Sequence, residues 1–140
     1  MSDLVNETLI KLNVDTSTRK ETIKYLAQLI AEDSNRLGSF DEYYQTLLER
    51  EEKSSTALGN QIAIPHGKEE YVKESKIAIA ILDNSVKWGA ETIEVVFLLA
   101  LKNKQSKLFF KNFHKIIDDR EIIKRLKNAD TEEEIKDIII

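Results

Sequence analysis

Apolar residues recur at helical spacing in two segments near the start of the chain. The stretch from Thr18 to Glu21 has the Thr-x-x-Glu spacing of a capping box, and Ser39 to Glu42 has the related Ser-x-x-Glu spacing. Each is followed by residues that share one helical face: Ile23, Leu26, Ala27 and Ile30 in the first case, and Tyr43, Tyr44, Leu47 and Leu48 in the second. The pattern predicts two amphipathic helices, the second ending near Arg50.

Three later runs are apolar without helical spacing, and they predict strands. The run at 62–64 is short and stops at Pro65, which has no N–H group to donate to a strand ladder. The runs at 77–82 and 95–101 are apolar on both alternating faces, as in strands that are covered on both sides. We expect these two longer strands to form the centre of a sheet.

Helical spacing returns in the last third of the chain. One apolar face consists of Phe109, Phe110, Phe113, Ile116 and Ile117, and a last helix capped by Thr131 carries Ile135, Ile138 and Ile139. Helices therefore occur at both ends of the sequence with strands between them. This order predicts an α/β fold: one layered domain over residues 1–140, with a central mixed β-sheet flanked by helices on both faces.

Composition and charge narrow the class of protein. With 140 residues and 41% hydrophobic content, the chain can bury one core. Its net charge of −4, without a cluster of basic residues, argues against a nucleic-acid partner. The run at 95–101 is far shorter than the roughly 20 residues needed to cross a bilayer, and the N-terminus has no signal-peptide pattern. We expect a cytoplasmic protein with no direct membrane insertion.

Two histidines, His66 and His114, are the side chains that titrate near neutral pH by default. His66 follows the predicted short strand and lies between Pro65 and Gly67, a setting suited to an exposed and aimed side chain. A neutral imidazole is a good nucleophile toward phosphorus. From the residues alone, an ordinary solvated turn histidine remains an open alternative.

A phosphoryl group held by His66 would need positive charge or hydrogen-bond donors beside it. Arg50, Thr56 and the loop amides around Gly67 are candidates for this role. Arg50 has a simpler interpretation as a cation that complements the dipole at the end of its helix. A Ser-His-Asp triad with Ser54 or Ser55 also stays open, because a triad is defined by geometry.

Other kinds of site have little support in the sequence. There is no cysteine, so a structural zinc site is not expected, and no metal is proposed. The four glycines match neither the dinucleotide fingerprint nor the P-loop spacing. No bound cofactor is predicted.

The chain resembles the IIA domains of the fructose and mannitol class of the phosphoenolpyruvate-dependent phosphotransferase system. The resemblance covers nearly the whole sequence and is carried by the segments 48–52, 56–59, 62–67 (Ile-Ala-Ile-Pro-His-Gly), 97–100 and 122–126. It implies that His66 accepts a phosphoryl group from the phosphocarrier HPr and passes it to a IIB component, while a membrane IIC component moves the sugar. It also implies that Arg50 helps to bind the phosphoryl group.

One position departs from the family pattern. The family commonly has a second active-site histidine at the start of the helix after the long apolar strand, and the matching residue is Ser106. His114 lies eight residues further on, about 12 Å along a helix axis, so it is not a replacement. We interpret His114 as a structural residue at the edge of the apolar stripe. Ser106 can donate one neutral, weaker hydrogen bond, which predicts slower transfer or a different partner.

Two alternatives to a transport component remain. IIA-like domains also occur in regulators, where they sense phosphorylation instead of feeding a transporter, and the Ser106 departure favours this interpretation. A fold retained only for binding is a third possibility, against which Arg50 and His66 argue. Neither the sugar nor the oligomeric state follows from the sequence.

Overall fold

The computed structural model describes residues 9–33 and 39–139, except for the side chains of residues 103–108. The elements, in chain order, are β1 (Ile10–Val14), α1 (Arg19–Glu32), α2 (Phe40–Lys53), β2 (Ala57–Gly59), β3 (Ile62–Ala63), a single 3-10 turn (Glu69–Tyr71), β4 (Lys76–Trp88), β5 (Glu91–Ala100), α3 (Asn103–Ile117), α4 (Arg120–Lys127) and α5 (Glu132–Ile139). Within these ranges, no helix is long and apolar enough to span a lipid bilayer.

The described strands form one mixed sheet in the order β1-β4-β5-β3-β2. The central pair, β4 and β5, is antiparallel, whereas β1 pairs with β4 and β3 pairs with β5 in parallel. The short strand β2 completes the sheet as the antiparallel neighbour of β3. The prediction that the two long apolar runs form the sheet's centre is confirmed.

Each face of the sheet carries its own apolar core. Along β5, Val96 and Leu98 join the buried cluster beneath α1 and α2, while Val95 and Phe97 join the cluster beneath α3, α4 and α5. This alternation is the two-residue period of a strand, and it explains why the run reads as continuously apolar. The predicted α/β layering, with helices on both faces, is confirmed.

The predicted helix starts are also confirmed. The hydroxyl of Thr18 accepts a hydrogen bond from the Glu21 N–H at 3.1 Å, and that of Ser39 accepts one from the Glu42 N–H at 3.4 Å. Both satisfy an amide that has no partner within its helix. Helix α2 runs to Lys53, three residues beyond the predicted end.

Two strands escaped the sequence prediction, and a third is longer than predicted. β1 and β2 lie at the two edges of the sheet and are only five and three residues long. β4 extends past the predicted 77–82 run to Trp88, because its last residues form a hairpin arm with β5 in which positions 83–85 are exposed. Gly89 turns this hairpin with a φ of +67°, a backbone conformation that favours glycine.

Candidate active site

The segment that carries His66 continues the sheet beyond the end of β3. The Ile64 N–H donates to the carbonyl of Thr56 at 3.0 Å, and the Leu99 N–H donates to the carbonyl of Pro65 at 2.9 Å. His66 itself forms a parallel bridge with Leu99. The backbone of the histidine is therefore fixed by its neighbours on the sheet, and its side chain is half-buried at the sheet's end.

One hydrogen bond sets the chemistry of the His66 ring. Nδ1 lies 3.0 Å from the carbonyl oxygen of Ile64. A carbonyl can only accept, so Nδ1 carries a hydrogen, and in the neutral ring Nε2 keeps its lone pair. Nε2 is the nitrogen available as a nucleophile.

Two side chains of α2 lie under the turn that follows His66. The Tyr43 hydroxyl donates to the carbonyl of Leu99 at 2.8 Å and accepts a long hydrogen bond of 3.4 Å from the Gly67 N–H. The Thr46 hydroxyl donates to the Tyr43 carbonyl at 2.7 Å and accepts from the Lys68 N–H at 3.0 Å. Burial raises the pKa of Tyr43, so its hydroxyl stays protonated as a donor.

These contacts correct two expectations about phosphoryl-binding donors. The amides of Gly67 and Lys68 already have partners on α2, so they are not free loop donors. Thr56 is buried, and its hydroxyl donates a hydrogen bond to the carboxylate of Glu51. Thr56 is therefore part of the protein's interior support and does not line either cavity described below at His66.

A cationic cavity of about 150 Å³ lies on the α2 side of His66. Its lining consists of Thr46, Glu49, Arg50, Lys53, His66, Gly67 and Lys68. Three of these side chains are cationic and one is a carboxylate, so the local charge is opposite to the net charge of the whole chain. The sequence-predicted pair of Arg50 and His66 is brought together here.

The guanidinium of Arg50 is held by the residue that ends its own helix. Nη1 donates to the carbonyl of Ser54 at 2.6 Å and to the Ser54 hydroxyl at 3.0 Å. These contacts agree with the simpler interpretation of Arg50 as a cation that complements the C-terminus of its helix. The fork of a guanidinium has five N–H groups, which leaves others for an anion in the cavity.

A second cavity, of about 230 Å³, lies on the other side of His66. Its walls are largely apolar and include Leu99, Leu101 and Phe110, with Glu69 at one position. Phe110 is 37% exposed, unusually open for a large aromatic side chain. His66 thus stands between a cationic cavity and an apolar one.

The other predicted positions lie on α3. Ser106 belongs to the first turn of this helix, one turn before Phe110, and its side chain is among those outside the described residues. His114 is exposed, so it does not pack in the apolar stripe as expected. It also lies one turn beyond Phe110, away from the start of the helix.

Sequence reasoning missed Tyr43, Thr46, Lys53 and Lys68 as parts of this site. Tyr43 was interpreted only as an apolar residue of its helix, because its contact with Gly67 spans 24 positions of the chain. Lys53 had a usable signal, since it lies one helical turn after Arg50 and so shares its side of α2. Lys68 directly follows the Pro-His-Gly segment, which was a second signal.

Comparison with known proteins places the chain in a family. It matches the family model described as phosphoenolpyruvate-dependent sugar phosphotransferase system, EIIA 2, over residues 3–140. The mannitol-specific phosphotransferase enzyme IIA component of Bacillus subtilis is 38% identical over 130 residues, 90% of this chain and 89% of that protein. The transcriptional regulator ManR of Bacillus subtilis is 36% identical over 97 residues, which are 69% of this chain but 14% of that protein.

A solved structure agrees with the fold. A chain in the Escherichia coli complex of enzyme IIA mannitol with phosphorylated enzyme IIB mannitol matches with a TM-score of 0.84 and 23% identity, covering 97% of this chain and 98% of that one. This chain belongs to the EIIA 2 family of the phosphoenolpyruvate-dependent sugar phosphotransferase system. It is a IIA-type phosphotransferase component, as the resemblance in its sequence implied.

Proposed function

We propose that this protein is a phosphoryl carrier that accepts a phosphoryl group from phospho-HPr on His66 and passes it to a IIB component, which supports sugar uptake through a membrane IIC component. The observation that carries the proposal is the His66 ring, with Nδ1 bound to a carbonyl and the side chain lining a cationic cavity. We treat residues 1–140 as one IIA domain, because one family model spans 3–140. We also propose a cytoplasmic location.

The transfer step needs only groups of the protein and its donor. The Nε2 lone pair of His66 attacks phosphorus, the N–P bond forms, and the bond from phosphorus to the donor breaks with its electron pair leaving on the donor. The imidazole becomes positively charged, and the Ile64 carbonyl that accepts from Nδ1 stabilises this charge. Transfer to IIB is the same step in reverse. The proposal requires no metal or nucleotide.

Arg50 is the proposed phosphoryl-binding residue. Its guanidinium lines the same cavity as His66 and is restrained by Ser54, so little conformational freedom is lost when an anion binds. Lys53 and Lys68 add positive charge to the lining. Phosphoryl oxygens carry negative charge during transfer, which these cations offset.

Ser106 is proposed as a weaker third position of the site. It lies in the first turn of α3, where the helix dipole favours negative charge, and one turn before a residue that lines the apolar cavity. A hydroxyl there supplies one neutral hydrogen bond where an imidazolium would supply a charged one. We expect the protein to transfer phosphoryl groups more slowly than a variant with histidine at this position.

A regulatory module is the second candidate function. The 36% identity to part of ManR supports it, because that protein is named a transcriptional regulator. In this case His66 would be phosphorylated in the same way, but the adduct would change a protein contact without feeding a IIB component. The two candidates differ only in the second transfer.

The deciding experiment mixes the protein with phosphoenolpyruvate, enzyme I and HPr and measures intact mass. We expect an acid-labile adduct of one phosphoryl group, which is lost in His66→Ala. A wild-type protein without an adduct would refute the carrier function, and an adduct that persists in His66→Ala would place the site elsewhere. Adding a IIB protein then separates the candidates: the adduct disappears for a transport component and persists for a regulator.

A further inference from the structure

A buried carboxylate lies between α2 and the strand segment that leads to the active site. Glu51 is 6% exposed, and its two oxygens accept hydrogen bonds from the N–H of Thr56, at 3.2 Å, and from the Thr56 hydroxyl. Nη1 of Arg19, the first residue of α1, lies 3.6 Å from one of these oxygens. Glu51 therefore joins the ends of two helices to the chain that enters β2.

Hydrogen bonds continue from this carboxylate to the nucleophile. Thr56 is held on its amide side by Glu51, and its carbonyl accepts from the Ile64 N–H at 3.0 Å. The carbonyl of Ile64 is in turn the partner of His66 Nδ1. A continuous chain of contacts thus runs from Glu51 through Thr56 and Ile64 to the histidine ring.

The same short segment also fixes the proposed phosphoryl-binding cation. Arg50 precedes Glu51 in α2, and its guanidinium is bound to Ser54, two residues before Thr56. The link between Glu51 and Thr56 closes this short loop. It therefore sets where the Arg50 side of the cavity lies relative to the His66 side.

The carboxylate is a poor choice for stability alone. Removing a charge from water is unfavourable, and an apolar group of similar size often stabilises an interior as well or better. A carboxylate instead fixes the orientation of its partner, because its two oxygens can accept hydrogen bonds from the amide and the hydroxyl of one residue at once. The positive charge of Arg19 offsets part of the buried negative charge of Glu51. The ion pair also stabilises Arg19, because a cation in the first turn of a helix is otherwise disfavoured by the helix dipole.

We infer that Glu51 is a positioning residue for the phosphoryl site: by gripping Thr56 it aligns the His66 ring and the Arg50 guanidinium for transfer. The inference rests on the function proposed above for His66. It assigns Glu51 no contact with the phosphoryl group.

The test compares Glu51→Gln, Thr56→Val and Thr56→Ser with wild type, and uses Glu52→Gln as a matched control. Glu52 is the next residue of α2 and is exposed. Phosphorylation by phospho-HPr is followed by intact mass at a temperature where every variant is folded, and the ring nitrogens of His66 are recorded by 15N NMR in the unphosphorylated proteins.

We expect Glu51→Gln and Thr56→Val to slow phosphorylation by about tenfold or more, as misaligned reacting groups do. Their His66 shifts should move from the Nδ1-protonated tautomer toward a mixture of tautomers. Thr56→Ser, which keeps the gripped hydroxyl and amide, should restore the rate, and Glu52→Gln should match wild type. If Thr56→Val does not fold, Glu51→Gln, which preserves the side chain's shape, gives the same comparison.

A lower unfolding temperature with wild-type rate and wild-type ring shifts would overturn the inference, since Glu51 would then act on stability alone. If even the wild-type protein forms no adduct, the proposed function fails. The ring shifts then decide this inference separately, and unchanged shifts in Glu51→Gln would refute it.

Discussion

Among the glycines that the structure describes, Gly67 is the one whose lack of a side chain is required by its surroundings. A Cβ atom at this position would lie 2.4 Å from the Thr46 hydroxyl and 2.9 Å from Cε1 of the Tyr43 ring, both under the turn. Tyr43 is fully buried and cannot move aside. Glycine at position 67 thus allows α2 and the His66 turn to pack in contact.

We predict that Gly67→Ala lowers the free energy of unfolding by about 1–3 kcal/mol through overpacking and slows phosphorylation of His66 by displacing the turn. Denaturant unfolding and the adduct assay measure the two effects. Gly59→Ala is the control: Gly59 has a φ of +95°, and a Cβ atom there would have no neighbour within 4 Å. This control should lose about 1–2 kcal/mol from backbone strain and keep the wild-type transfer rate. Equal transfer rates in both variants would contradict the role given to Gly67.

Tyr43 provides a prediction about pH. Burial raises its pKa above the usual value of about 10, so the hydroxyl stays protonated in the folded protein at pH values where it ionises in the unfolded chain. Its contribution to stability is therefore fully present below about pH 10 and is lost as the pH rises toward the folded-state pKa. Unfolding measured from pH 8 to 11 should show stability falling less steeply in Tyr43→Phe than in wild type. A parallel decline would argue against this buried hydroxyl.

At the scale of elements, α1 is the helix whose start the sequence predicted most directly. The Thr18 hydroxyl caps the Glu21 amide in the structure, as the capping pattern indicated. We predict that Thr18→Ala lowers the free energy of unfolding by about 1 kcal/mol, while Thr18→Ser, which keeps the hydroxyl, changes it little. Thermal unfolding distinguishes the two variants. Equal losses of unfolding free energy would show that the hydroxyl cap does not account for the effect.

The apolar face of helix α3 carries both a buried and a partly exposed phenylalanine. Phe113 is buried and packs against Phe97 and Phe109, with ring centroids 4.9 and 4.8 Å away, whereas Phe110 is open beside His66. We predict a loss of about 3–5 kcal/mol in unfolding free energy for Phe113→Ala and a smaller loss of about 1–2 kcal/mol for Phe110→Ala, whose ring is partly exposed but still packs against Phe109 with the centroids 5.5 Å apart. Phe110→Ala should in addition weaken transfer from phospho-HPr or to IIB. A Phe110→Ala variant with normal transfer would contradict this assignment.

The first turn of α3 provides a gain-of-function prediction. Ser106→His would place a titratable donor at the position where the family resemblance implies a second histidine, and we expect phosphorylation to become faster by about tenfold. Ser106→Ala removes the hydroxyl and should be slightly slower than wild type. Rates that are the same in all three proteins would show that this turn takes no part in transfer.

For the whole molecule, the sequence predicted what depends on local pattern. The apolar runs that became β4 and β5 are buried on both faces, and such burial is visible as composition. β1 was missed although its sequence, Ile-Lys-Leu-Asn-Val, alternates apolar and polar residues as a half-covered strand does, because five residues are a short signal; β2 was missed because three residues carry too little pattern. The position of a strand at the edge of a sheet depends on which strand it pairs with, and a single sequence does not show that pairing.

The site divides in the same way. His66 and Arg50 were predicted, the first because its flanking residues fix a distinctive turn and both because they match a family motif. The grip of Glu51 on Thr56 and the support from Tyr43 were not predicted, since a buried glutamate looks like any other acid among the 25 in the chain. Burial depends on the packing of the whole chain, so these roles could be read only from the structure.

The bridge between His66 and Leu99 has a mechanical consequence. It ties the histidine to β5, the inner strand paired along its length with β4, so a force on the ring is spread through the sheet. A donor and an acceptor that dock in turn therefore meet a histidine whose backbone is held in the same position. The donor protein and the acceptor protein must therefore each present a surface that is complementary to this one site.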